Sequence, residues 1–136
     1  MRDGDVKMIP GQRSRYSREE IAAHVREAVK GIPVQQVILF GSHARGAATS
    51  LSDIDLVAIW ETEQRFLLRS ETILRRLYAV FRGVDLDVIV YTPDEWEMLR
   101  QSGREFIHRI VQEGVVVYER GEGGLRSQTV AEAGAG

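Results

Sequence analysis

Residues 38–60 read ILFGSHARGAATSLSDIDLVAIW: two apolar runs around a loop of Gly, Ser and Ala, with Asp53 and Asp55 at the mouth of the second run. Charge at the edge of an apolar strand is costly unless something pairs with it. Side chains alternate along a strand, so Asp53 and Asp55 point to one face while Ile54, Leu56 and Ala58 point to the other. Positions two apart lie roughly 6.5–7 Å from one another along the strand, close enough for both carboxylates to lean towards ions between them. A second segment, VDLDVIVY at 84–91, repeats the pattern with Asp85 and Asp87. If these strands are neighbours, three or four carboxylates meet at one spot, where their mutual repulsion calls for a cation. Oxygen ligands of this kind suit Mg²⁺ or Mn²⁺.

The rest of the chain alternates helical and strand patterns. In SREEIAAHVREAVKG, Ser17 and Glu20 make a capping box, Ile21, Val25 and Val29 recur every four residues, and Gly31 with Pro33 supplies the stop. VQQVILF (34–40) is the first strand and DIDLVAIW (53–60) the second. Between Thr62 and Arg82 the spacing of Phe66, Ile73, Leu74, Leu77, Tyr78 and Phe81 predicts a long amphipathic helix. Thr92-Pro93-Asp94-Glu95 opens a short helix directly after the third strand. Ser102 and Glu105 are expected to cap another, with Phe106, Ile107, Ile110 and Val111 as its stripe, before a last strand, VVVY (115–118). The order argues for an α/β sandwich with helices against a mixed sheet. Residues 1–16 read as a flexible N-terminal arm, 17–118 as one domain, and 119–136 as a flexible C-terminal tail.

Composition narrows the function classes. At 136 residues the chain suits one core, and a net charge of −2 supplies no field for nucleic acid or an anionic membrane, so direct nucleic-acid binding is not expected. Of the 18 basic residues 16 are Arg, which leaves room for a local basic patch. With no cysteine there is no disulfide, thiolate metal site or cysteine nucleophile. No apolar run reaches the ~18 residues of a membrane span, and the polar start has no signal-peptide core, so a cytoplasmic location is expected.

The loop at 41–49 points to phosphate. Gly41-Ser42 follows an apolar strand, and HARGAAT can start a short helix, whose N-terminal amides and dipole favour an anion. Ser42 adds a hydroxyl and Arg45 a guanidinium. A Walker loop would need Lys where Ala47 stands, no G-x-G-x-x-G is present, and Val57 sits where an EF-hand needs Asp or Asn.

Gly41-Ser42, ten intervening residues and Asp53-Ile54-Asp55, followed by VDLDVIVYTPDEW, resemble the signature of the minimal nucleotidyltransferases, relatives of the polymerase β palm. The resemblance runs from about Ser17 to Tyr118. It implies the nucleotidyltransferase fold, an α/β (α+β) arrangement with a mixed sheet of about four strands and helices packed against it. It also implies that Asp53, Asp55 and Asp87 are the catalytic, metal-binding carboxylates, holding two Mg²⁺ ions, with Asp87 orienting or deprotonating an acceptor hydroxyl. Gly41, Ser42 and, more weakly, Arg45 would bind the phosphates of a nucleoside triphosphate, ATP by expectation. Small members of the family are typically paired with a helical HEPN protein, an RNase toxin. The nucleotidyltransferase then serves as antitoxin by transferring AMP to a toxin tyrosine. A catalytic core without an acceptor-gripping domain is expected to need such a partner. Two alternatives stay open: a small-molecule nucleotidyltransferase whose acceptor pocket comes from a separate subunit or a homo-oligomer, and a binding antitoxin without catalysis.

Plainer readings stand beside these. Asp53 and Asp55 could be a solvated strand start, Ser42 a helix cap, Arg45 a salt-bridge partner and Asp85 a peripheral carboxylate. His24, His43 and His108 lack metal-ligand spacing and are expected on the helix surface or in packing, with His43 notable for its place beside the loop. Trp60, opposite the aspartates, is expected to pack. Arg65, Arg69, Arg75, Arg76 and Arg82 read as a solvated helix face or a docking surface.

Overall fold

The computed structural model describes residue 14 and residues 16–121. Among these residues four helices, α1 (Arg18–Ala28), α2 (Phe66–Tyr78), α3 (Pro93–Gln101) and α4 (Glu105–Glu113), and four strands, β1 (Val34–Phe40), β2 (Ile54–Trp60), β3 (Leu86–Tyr91) and β4 (Val115–Glu119), follow in the order α1-β1-β2-α2-β3-α3-α4-β4. The sheet order is β3-β2-β1-β4, with β2 and β3 parallel and the other pairs antiparallel. Apart from Ser14 and Tyr16, the expected arm lies outside the described residues, as does the tail beyond Gly121. Tyr16 itself is packed: its ring meets His24 and Phe81 edge-on, and its hydroxyl bonds the backbone N–H and C=O of Arg82. Among the described residues no helix is long and apolar enough to cross a membrane.

Strand alternation sorts the apolar side chains into two layers. On one face Val37, Leu39, Ile54, Leu56, Ala58 and Val88 join Ile21 and Val25 of α1 and Ile73 and Leu77 of α2 in the larger core. On the other, Ile38, Val57, Ile59 and Val116 meet Trp96 of α3 and Ile107 and Ile110 of α4. Trp60 packs in the larger core, as expected, though its indole N–H finds no acceptor among the described residues. Two of the three predicted caps close as capping boxes, Ser17 with Glu20 and Thr92 with Glu95.

Four local expectations are corrected. The long helix is α2, shorter at both ends; Phe66, Leu67 and Leu68 in its first turn are exposed. Ser102 does not start a helix: it ends α3, Gly103 turns the chain with φ +74°, and Arg104 precedes α4 without a side-chain cap. No helix forms after Gly41, where a turn carries the chain to β2. The Arg face is not wholly solvated, because Arg69 is buried and Arg76 donates to the Ala28 and Lys30 carbonyls at the end of α1.

Candidate active site

The parallel register sets Asp55 of β2 directly opposite Asp87 of β3, and the antiparallel register sets Phe40 of β1 opposite Asp55. These three side chains share the sheet face that α3 and α4 cover further along. Asp53 precedes β2 by one residue, outside both ladders, and is exposed. Burial, then the charges of Asp87 and Asp53, push the Asp55 carboxyl up to about 6 from an ordinary 3.8, with Arg45 pulling the other way. Each cause follows from the fold: β1 and the loop shield Asp55, while β3 supplies Asp87 and the residues just ahead of β2 supply Asp53. Asp85 is exposed and is not among the charges acting on Asp55; its carbonyl accepts from the Ile54 N–H at 2.9 Å.

Charge, oxygen-only donors and in-register placement fit a divalent cation. As the side chains stand, no three His, Asp or Glu groups among the described residues lie close enough together to ligate one ion.

Gly41 ends β1 with φ +75°, and the Ala44 and Arg45 N–H groups both bond its carbonyl, at 3.1 and 3.2 Å. The phosphate argument built on a helix N-terminus therefore falls, since the segment makes only a turn. Gly41 has a second reason to lack a side chain: a Cβ there would collide with Asp55 Oδ2 and lie 3.2 Å from its Cγ. The turn backbone and the Asp55 carboxylate thus stand against each other, an approach open only to glycine. Ser42 follows, partly exposed. Arg45 pairs with Glu113 of α4 at 3.6 Å, the plainer of its two expected roles. Between the turn and α4 lies a cavity of about 170 Å³ lined by Phe40, Gly41, Arg45, Phe106, Arg109 and Ile110. On the other flank of Asp53 a cleft of about 470 Å³ is lined by Leu51, Ser52, Tyr78, Phe81, Arg82 and Asp85.

Sequence reasoning expects His43 on the helix surface or in packing and marks it only for its place beside the loop. It is buried, at 4% exposure, and both ring nitrogens are engaged: Nδ1 with the Asp53 carbonyl at 3.0 Å and Nε2 with Ser14 Oγ at 2.8 Å. Its place ten residues before Asp53 was the one available signal, and spacing alone does not reveal such a bond.

Residues 25–123 match the family model described as polymerase beta, nucleotidyltransferase. No curated protein matches the chain at a significant level. Among solved structures, a Sulfolobus solfataricus protein named as a candidate nucleotidyltransferase is 23% identical with a TM-score of 0.54, covering 79% of this chain and 84% of its own. A chain from a toxin–antitoxin structure with AMP-PNP is 20% identical with a TM-score of 0.53, covering 74% of each. One from a mutant of the toxin–antitoxin MntA-HpeT is 18% identical with a TM-score of 0.51, covering 78% and 76%. At these identities the solved structures establish the fold alone, a mixed four-stranded sheet with four helices. The family model spans most of the chain, Asp53, Asp55 and Asp87 included, and the protein belongs to the polymerase beta nucleotidyltransferase family.

Proposed function

We propose that this chain transfers AMP from ATP, with divalent metal, to a tyrosine hydroxyl of a helical HEPN-family toxin, and so acts as its antitoxin. The observation that carries the enzymatic part is the in-register pair Asp55 and Asp87, with the glycine turn set against Asp55. The nucleotide and partner assignments take support from structural relatives that are chains of toxin–antitoxin complexes, one of them with the ATP analogue AMP-PNP.

In this reading Asp53, Asp55 and Asp87 would hold divalent metal, with Mg²⁺ suited to their oxygen donors. When bound, the ions neutralise the triphosphate and favour attack at the α-phosphorus. The protein's own groups do the remainder. The Gly41 turn and the Ser42 hydroxyl bind the β- and γ-phosphates. Arg45 exchanges Glu113 for a phosphate oxygen. Asp87 holds the acceptor hydroxyl and takes its proton as the new P–O bond forms and the α–β bridging bond breaks, releasing pyrophosphate.

The test is label transfer from ATP to a co-purified HEPN partner. Asp53→Asn combined with Asp55→Asn should abolish transfer while circular dichroism shows an intact fold. Transfer that survives both substitutions overturns the reading. Toxin neutralisation that persists in the transfer-dead variant identifies a binding antitoxin instead. Pyrophosphate release with hydroxylated metabolites but not with the partner identifies a small-molecule enzyme.

A further inference from the structure

Asp53 presents a mechanical problem. The Ile54 N–H bond to the Asp85 carbonyl at 2.9 Å holds the Asp53–Ile54 peptide to β3, but the β1–β2 ladder ends at the Phe40–Asp55 pair, so no ladder reaches the Asp53 carbonyl from the β1 side. His43 reaches it from the turn. The Asp53 carbonyl can only accept, so the bond at 3.0 Å places the ring proton on Nδ1. Nε2 of the neutral ring then accepts from the Ser14 hydroxyl at 2.8 Å, and Ser14 Oγ in turn accepts the Tyr16 N–H at 3.2 Å. The turn is braced from behind as well, where Arg18 donates to the His43 carbonyl at 3.4 Å and to the Ala44 carbonyl. One imidazole therefore ties three segments distant in sequence to a single point at the mouth of β2.

We propose that His43 is a positioning residue: its Nδ1–H bond to the Asp53 carbonyl sets where the Asp53 carboxylate stands, with Ser14 holding the ring in the required tautomer. Partners that orient a metal-binding group act by pre-organisation, and their loss is felt in metal affinity and turnover more than in substrate binding. The kinetic arm of the test rests on the transferase reading above; the spectroscopic and metal-binding arms do not.

Three full-length variants separate the roles. His43→Asn keeps a donor near the Nδ1 position, His43→Gln moves it towards the Nε2 position, and His43→Phe keeps the shape without either. In the wild type, ¹⁵N spectra should report His43 as the Nδ1–H tautomer. Mn²⁺ affinity, read by electron paramagnetic resonance without nucleotide, should fall ~10–100-fold in His43→Gln and His43→Phe and stay near wild type in His43→Asn. With ATP and partner, kcat should fall in the same order while the KM for ATP stays within a few-fold. An Nε2–H tautomer overturns the proposal, as does wild-type Mn²⁺ affinity in a folded His43→Gln. Should His43→Phe fail to fold, the Asn–Gln contrast and the wild-type tautomer still decide. Histidine-dependent Mn²⁺ binding in a wild type that transfers nothing upholds the positioning role and removes the transferase reading.

Discussion

Asp55 carries the sharpest electrostatic consequence of the fold. Its carboxyl titrates at about 6 when folded, against 3.8 as the ordinary value, so the folded protein binds this proton more tightly than the unfolded chain does. Ionisation therefore opposes folding. The stabilising contribution is complete below about pH 4 and is lost as pH rises through about 6. The full shift would correspond to about 3 kcal/mol for a shielded group, and the solvent contact that Asp55 keeps reduces this to about 1–2 kcal/mol. Urea unfolding in a chelator should show stability declining across that window. Asp55→Asn should remove the decline and leave the metal-free protein more stable at neutral pH. An unchanged slope in that variant would mean that the repulsion lies elsewhere. The paired-aspartate pattern announced crowding, but which carboxyl would bear it was not legible. That depends on the Asp87 register and on shielding by β1 and the turn, both set by residues far away in the chain.

At the scale of elements, a charged tie joins the starts of α2 and α3. Arg69 of α2, 8% exposed, donates from Nη1 to Glu95 Oε1 at 2.7 Å and from Nε to the Gln64 carbonyl at 2.8 Å. Its guanidinium also lies 5.6 Å from the centre of the Phe66 ring. Glu95 answers by accepting the Thr92 N–H at 2.9 Å, so one carboxylate caps α3 and binds α2. The Arg69 hydrogen bond is the main reason that this carboxyl is held below its usual range. Arg69→Met should cost about 1 kcal/mol in thermal or urea unfolding, because it removes the bonds to the Gln64 carbonyl and to a Glu95 carboxylate that stays partly solvated. Additive losses in Arg69→Met and Glu95→Gln would show the two to be uncoupled. The helical period placed Arg69 among solvated arginines because periodicity counts only neighbours on its own helix. The missed features at 102–105 have a similar cause: Ser-x-x-Glu is a local cap signal, and the turn at Gly103 overrides it.

For the whole molecule, unequal cores on the two sheet faces predict unequal opening. The α1/α2 side holds the larger cluster, whereas the α3/α4 side holds a smaller one. Amides of α3 and α4 should exchange through openings of lower free energy than those of β1 and β2. Hydrogen exchange at increasing denaturant checks this, and equal protection throughout would point to one cooperative unit. The sequence by itself determined the four helices and four strands, their order, the capping boxes at Ser17 and Thr92, and a glycine at the end of β1. Each of these is written in spacings of two to four residues, within which backbone geometry acts directly. Only tertiary structure decided that β2 and β3 are neighbours in parallel, that Asp87 stands opposite Asp55, that Gly41 clears room for that carboxylate, and that His43 holds the Asp53 backbone. Those facts rest on hydrogen bonds and close contacts between residues 10 to 32 positions apart, where no local period constrains the chain and only packing selects the partner.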